Sequence, residues 1–174
     1  MQPHSPGLID RIWYGGMLSS AIWAGQQGLN YLTSSVVTAE GSDSLDFATI
    51  QAQHIDAYRA HHPNPEKARV SQGLVVIPTD SATPEQVRKY RDYAASRFAR
   101  TQSPQGPRKM LFAPDIVGTS EEIADQLFSH AGFQRAHETT FALPFSFDDP
   151  DYVQILTDMA THLGPKLGWT PATG

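Results

Sequence analysis

Val-Ser-Gln-Gly-Leu-Val-Val-Ile, residues 70–77, is the strongest indication of fold in this chain. Its second part, 73–77, is a continuous apolar run of the kind found in strands that are buried on both faces of a parallel sheet. Thr83-Pro84-Glu85-Gln86 follows closely, and a capping residue before a proline predicts a helix that runs to about Arg97. A buried strand that leads directly into a helix indicates an α/β fold.

The same order of strand and helix recurs along the whole chain. Strands are predicted at 11–15, 30–37, 70–77 and 138–147, and helices follow them at 19–28, 44–61, 83–97, 119–132 and 149–163. Such alternation predicts right-handed βαβ units in a mainly parallel sheet within one domain, residues 1–174. Two architectures have this pattern, an open doubly wound sheet and half of an eight-stranded barrel. Periodicity does not separate them.

Composition narrows the classes of function. The chain has 174 residues, of which 40% are hydrophobic and 18% charged, as in globular domains. It has no cysteine, which excludes disulfides and thiol catalysis. A formal charge of −5 argues against nucleic-acid binding, although basic residues concentrate between Arg88 and Lys109. Neither a signal peptide nor an apolar span is recognised, so we expect a cytoplasmic protein with no membrane partner.

The segment Trp-Tyr-Gly-Gly-Met-Leu-Ser-Ser, residues 13–20, carries the clearest chemistry. A strand ends there, Gly15 and Gly16 permit a tight turn, and Ser19 and Ser20 stand at a helix start. Unpaired backbone amides and the helix dipole at such a point favour a phosphate. The alternative is a plain turn in which glycine provides geometry and serine provides a cap. The pattern is neither a P-loop nor a dinucleotide fingerprint.

Five segments, in this order, resemble the second half of luciferase-like flavin-dependent monooxygenases. They are Arg-Ile-Trp-Tyr-Gly-Gly (11–16), Ala-Ile-Trp-Ala-Gly-Gln-Gln-Gly-Leu-Asn (21–30), Leu-Thr-Ser-Ser (32–35), Val-Gly-Thr-Ser-Glu-Glu-Ile-Ala-Asp (117–125) and Leu-Gly-Pro-Lys-Leu-Gly-Trp (163–169). The resemblance implies parallel βαβα units that form the C-terminal half of a (β/α)8 TIM-type barrel, with FMN, or a deazaflavin in related proteins, at the carboxyl ends of the strands.

The resemblance also implies which residues meet the cofactor. The expected cofactor-binding residues are Gly15, Gly16 and Met17 through their amides, Ser19 and Ser20 through their hydroxyls, and Thr33 and Ser34 at the mouth of the next strand. For Thr33 and Ser34, ordinary hydrogen bonding at a strand end is the alternative. No metal site is expected, because the histidines stand singly or as the adjacent pair His61-His62, whose side chains point apart.

The resemblance further implies an oxidoreductase, a monooxygenase in which reduced flavin and molecular oxygen act on a small organic substrate. The half of the barrel that carries most catalytic residues is absent from this chain, so the catalytic residues stay unknown. Two other functions remain open: a non-catalytic relative that binds flavin or phosphate weakly or only self-associates, and an open-sheet nucleotide-binding domain.

A half barrel leaves two strand edges and one apolar face that a partner can cover. Its outer strands are open edges, and an interior face carrying Trp13, Leu32, Val75 and Phe141 would lack its opposing layer. We expect that a second copy, a separate chain with the missing half, or a segment such as 102–113 covers this face. A homo-oligomer, a dimer above all, is the leading expectation.

Overall fold

A computed structural model describes residues 5–171. The strands are β1 (Trp13–Gly15), β2 (Asn30–Thr33), β3 (Val36–Thr38), β4 (Val70–Pro78), β5 (Met110–Phe112), β6 (Ile116–Gly118) and β7 (Glu138–Ala142). The helices are α1 (Leu18–Gln26), α2 (Phe47–His61), α3 (Pro84–Arg97), α4 (Ser120–Ser129), α5 (Asp149–Asp158), a π-helix (Met159–Leu163) and α6 (Gly164–Lys166). Among the described residues, no helix has the length and apolar character needed to cross a membrane.

The main sheet is entirely parallel. Strand β1 pairs with β2, β2 with β4, and β4 with β7, so these four strands are neighbours in the order in which the chain reaches them. Strand β6 pairs with the last three residues of β4, beyond the part that contacts β2 and β7. The prediction of a mainly parallel α/β fold is therefore confirmed, and the sheet branches at β4, which pairs with both β6 and β7.

Two predicted strands are too long. The second, 30–37, is divided: β2 ends at Thr33, and β3 pairs antiparallel with β5 in a separate two-stranded sheet. The Ser34 hydroxyl accepts a hydrogen bond of 3.1 Å from the Val36 amide, which turns the chain between β2 and β3. The fourth, 138–147, ends at Ala142, shortly before Pro144, which has no amide to donate.

Three apolar clusters hold the layers together. Tyr31 packs with Tyr58 of α2 in one cluster, and Leu74 and Val76 pack with α2 and α4 in another. A third cluster joins Val75 and Ile77 to Tyr90, Phe147 and Ile155. Because successive side chains of a strand point to opposite faces, β4 is buried on both sides. The continuous apolar run of β4 predicted this burial.

The expectation for the interior face needs correction in two respects. Register places Trp13, Leu32 and Val75 on one face, whereas Phe141 lies level with Leu74 and therefore on the opposite face. In addition, Val75 is buried under Tyr90, Phe147 and Ile155. Segment 102–113 does not cover Val75, because its buried residues Leu111 and Ala113 pack with Leu74 and Val76 on the opposite face.

Candidate functional site

The glycine turn predicted as a phosphate site lies at the carboxyl end of β1. Gly15 ends the strand, Gly16 follows it, and α1 begins at Leu18. Met17 is the N-cap residue, with φ −95° and ψ −162°. Ser19 and Ser20 are therefore not caps, as the sequence had suggested, but lie inside the first turn of the helix.

The amides at this helix start lack protein acceptors. The first intrahelical hydrogen bond is the one from Ala21 to the Met17 carbonyl oxygen, at 2.9 Å. Within residues 5–171, the amides of Met17, Leu18, Ser19 and Ser20 donate to no protein atom, and Met17 supplies no capping side chain. Asp46, Thr83 and Thr119, by contrast, cap helices α2, α3 and α4 with their own side chains. Helix α1 thus presents donors that an anion can satisfy.

The conformation of Gly16 explains why no other residue suits this position. Its φ of +152° is one that side chains rarely adopt, and an added Cβ would collide with the side chain of Ser20. Its amide also reaches the Leu32 carbonyl oxygen of the neighbouring strand, at 3.4 Å. The turn therefore brings backbone and a serine side chain together at the start of α1.

Tyr31 holds the glycine turn in place from the neighbouring strand, and the sequence patterns did not indicate this residue. The hydroxyl of Tyr31 in β2 donates to the Gly16 carbonyl oxygen at 2.7 Å. Burial raises the pKa of Tyr31, so the phenol stays neutral and remains a donor. No local pattern indicated this role, because the contact joins residues on two strands.

Thr33 is the last residue of β2, and Ser34 follows it directly. Thr33 is buried. The Ser34 hydroxyl accepts from Val36, and the Ser34 carbonyl oxygen accepts from Gln51 at 3.0 Å. These contacts match the alternative interpretation, hydrogen bonding at a strand end. The five residues of the glycine turn and helix start are therefore the stronger candidates.

A large groove lies elsewhere, along the outer side of β7. We call it the β7 groove; its volume is about 690 Å³. Its apolar wall includes Phe133, Ala136, Phe141, Leu156, Met159 and Trp169. None of the predicted cofactor-binding residues lines it, so it is separate from the glycine turn.

Comparison with known proteins bears on the fold. No protein-family model matches the chain, and no curated protein matches it. Among solved structures, the crystal structure of apo-MsnO8 is similar, with a TM-score of 0.61 and 20% sequence identity. The match covers 98% of this chain and 54% of that one, so this chain spans about half the length of the MsnO8 chain. At this identity the likeness shows a shared fold alone.

Proposed function

We propose that the glycine turn and the first turn of α1 bind the phosphate of FMN, and that the chain is the cofactor-holding half of a flavin-dependent monooxygenase barrel. The observation that carries this proposal is the set of unpaired amides from Met17 to Ser20 directly after Gly16. These donors lie at the carboxyl end of a parallel strand, where α/β barrels hold their ligands.

The residues present fit a phosphate group. Backbone amides donate to phosphate oxygens, and the positive end of the helix dipole favours the negative charge. Gly16 has no side chain, which leaves the backbone open to close approach. The exposed hydroxyl of Ser19 adds a donor at the same turn. A deazaflavin carries a phosphate too, so the same donors accommodate either cofactor.

Strand order supports a half barrel over an open nucleotide-binding sheet. In doubly wound sheets, ligands bind where strand order reverses. The parallel neighbours β1, β2, β4 and β7 follow chain order instead, as adjacent strands of a barrel do, and the remaining strand, β6, joins only the last three residues of β4. The coverage of about half of a longer solved chain is consistent with this proposal.

The chain's own residues would bind and position the cofactor. A bound flavin would supply the redox chemistry that joins molecular oxygen to an organic substrate. Tyr31 would hold Gly16, and Gly16 would hold the phosphate donors in place. A non-catalytic relative would use the same residues, because it would bind flavin through the same turn without turnover.

A titration that compares FMN with riboflavin tests the site. The two share a ring system and differ by the phosphate, so we expect FMN to bind at least about tenfold more tightly, about 1.4 kcal/mol. Flavin fluorescence or calorimetry measures both affinities, and inorganic phosphate should compete with FMN. Equal affinities for FMN and riboflavin would refute a phosphate site. FMN binding that leaves the rate at which oxygen oxidises reduced FMN equal to the rate for free FMN would favour the non-catalytic alternative.

A further inference from the structure

The two outer strands of the main sheet each have one free edge. Strand β1 pairs only with β2, and β7 pairs only with β4, among residues 5–171. A free parallel edge leaves unpaired amides and carbonyls that can accept another strand. The structure therefore offers two different edges, one at each side of the same sheet.

Exposed aromatic side chains flank the β1 edge. Tyr14 and Trp23 are 38% and 44% exposed, and their rings contact each other with centroids 4.6 Å apart. Tyr14 lies level with Tyr31, and both therefore point to the face that α1 and α2 cover. The pair is an apolar projection at the rim of the helical layer.

The β7 edge has a groove where the β1 edge has a projection. The β7 groove lies there, and Leu156 and Trp169 in its wall are 50% and 51% exposed. Phe141 also lines the groove and lies level with Leu74, on the face that packs against α2 and α4. The projection at one edge and the groove at the other therefore lie on the same face of the sheet.

We propose that two copies of this chain close edge to edge, with β7 of each paired in parallel with β1 of the other, so that Tyr14 and Trp23 of one copy enter the β7 groove of its partner. Each copy has five parallel strands in its main sheet, of which β6 joins only the end of β4. The other four, β1, β2, β4 and β7, are neighbours in chain order, so two copies supply the eight strands of a barrel. Both complementary edges belong to one chain, which is why we favour a second copy over a different protein.

Barrel geometry also predicts the register of the new strand pair. Gly15 lies level with Leu32, Ser71 and Glu138 across the sheet. A barrel of about eight strands accumulates a stagger of about eight residues, so each half contributes about four. Only a shift toward Ala142 stays within β7. It places Gly15 of one copy beside Ala142 of the other, and Tyr14 beside Phe141, on the same face.

Sedimentation or light scattering at micromolar concentration tests the association without any flavin. The inference rests on the half-barrel part of the proposed function but not on FMN, so a failed flavin titration leaves it intact. We expect a species of twice the 19.1 kDa chain mass. Trp23→Glu and Leu156→Glu, on opposite edges, should each yield a folded monomer, whereas the control Leu45→Glu, on an exposed loop, should stay dimeric. A wild-type monomer, or dimers that survive both edge variants, would overturn the proposal.

Cross-linking tests the register, since the natural sequence has no cysteine. Within one copy, Tyr14 and Phe141 are separated by more than the about 14 Å of three strand spacings, which is beyond the reach of a disulfide. Tyr14→Cys with Phe141→Cys should therefore oxidise to a covalent dimer, whereas Leu45→Cys with Phe141→Cys should not. A disulfide within single chains, or equal dimer yield from the control pair, would contradict the proposed pairing.

Discussion

The hydroxyl of Tyr31 donates a hydrogen bond of 2.7 Å to the carbonyl oxygen of Gly16. This bond ties the candidate phosphate turn to the neighbouring strand, together with the longer hydrogen bond of 3.4 Å from the Gly16 amide to the Leu32 carbonyl oxygen. Tyr31 is fully buried, so its hydroxyl has a fixed direction. The geometry of the turn therefore depends on a residue that does not itself belong to the site.

Tyr31→Phe should loosen the turn and weaken FMN binding. Loss of the buried hydrogen bond should lower the free energy of unfolding by about 0.5–1.5 kcal/mol. Tyr58→Phe is a matched control, because it removes another buried hydroxyl, which donates to Leu29 at 2.9 Å. Urea unfolding and FMN titration measure both variants. We expect similar losses of stability but a loss of affinity only in Tyr31→Phe; equal affinities would remove the turn from the flavin site.

Substitutions at Gly16 distinguish the effect of an added side chain on FMN binding from the effect of an added negative charge. Gly16→Ala introduces a Cβ that meets Ser20 and should reduce FMN affinity by displacing the turn. Gly16→Asp adds a carboxylate next to the phosphate and should reduce it further. Gly41→Asp is the control, since Gly41 also has a positive φ, +78°, but open space around it. Unchanged FMN affinity in Gly16→Asp, by fluorescence titration, would eliminate this position from the site.

His54 should make the fold less stable in mild acid. It is buried in α2, and burial lowers its pKa, while a backbone contact with Thr38 opposes the shift. A lowered pKa in the folded state means that the unfolded chain takes up the proton first. The stability is therefore complete above the unfolded pKa, about 6.5, and is lost as pH falls through the folded value.

His54→Leu should flatten this pH dependence. Unfolding free energies measured from pH 7.5 to 5 should fall less steeply for the variant than for the wild type. Some slope should remain, because burial also lowers the pKa of His130 and His137. Identical slopes in the two proteins would mean that His54 does not titrate with unfolding.

Local signals predicted the elements that depend on local residues. The apolar run 73–77 marked β4, and Thr83 and Thr119 marked the starts of α3 and α4, because capping acts within one turn. The break between Thr33 and Val36 was missed, since β3 exists through its pairing with β5, far along the chain. Pairing between distant segments leaves no trace in a local pattern.

The candidate site could be predicted only in part, again because local patterns do not record contacts between distant segments. Glycines between a strand and a helix located the turn, but the preference of serine for helix caps placed the helix start too late, at Ser19 rather than after Met17. The predicted face of Phe141 was wrong, because the alternation of side chains along one strand does not determine which residues lie level with them on the neighbouring strand. The contact from Tyr31 required the packed sheet.

Met17→Asp tests whether the unpaired amides at the start of α1 hold a phosphate. Met17 has the extended backbone of an N-cap residue. An aspartate there should accept the hydrogen bonds of the first turn and raise the free energy of unfolding by about 1 kcal/mol relative to Met17→Ala. The same carboxylate would occupy the phosphate position and repel it.

The decisive measurement is the FMN affinity of Met17→Asp against Met17→Ala, which removes the same methionine side chain without adding charge. We expect Met17→Asp to be more stable and to bind FMN at least about tenfold more weakly than Met17→Ala, a difference of about 1.4 kcal/mol, with riboflavin affinity unchanged. Equal FMN affinities in the two variants, with the aspartate shown to stabilise the helix, would contradict it.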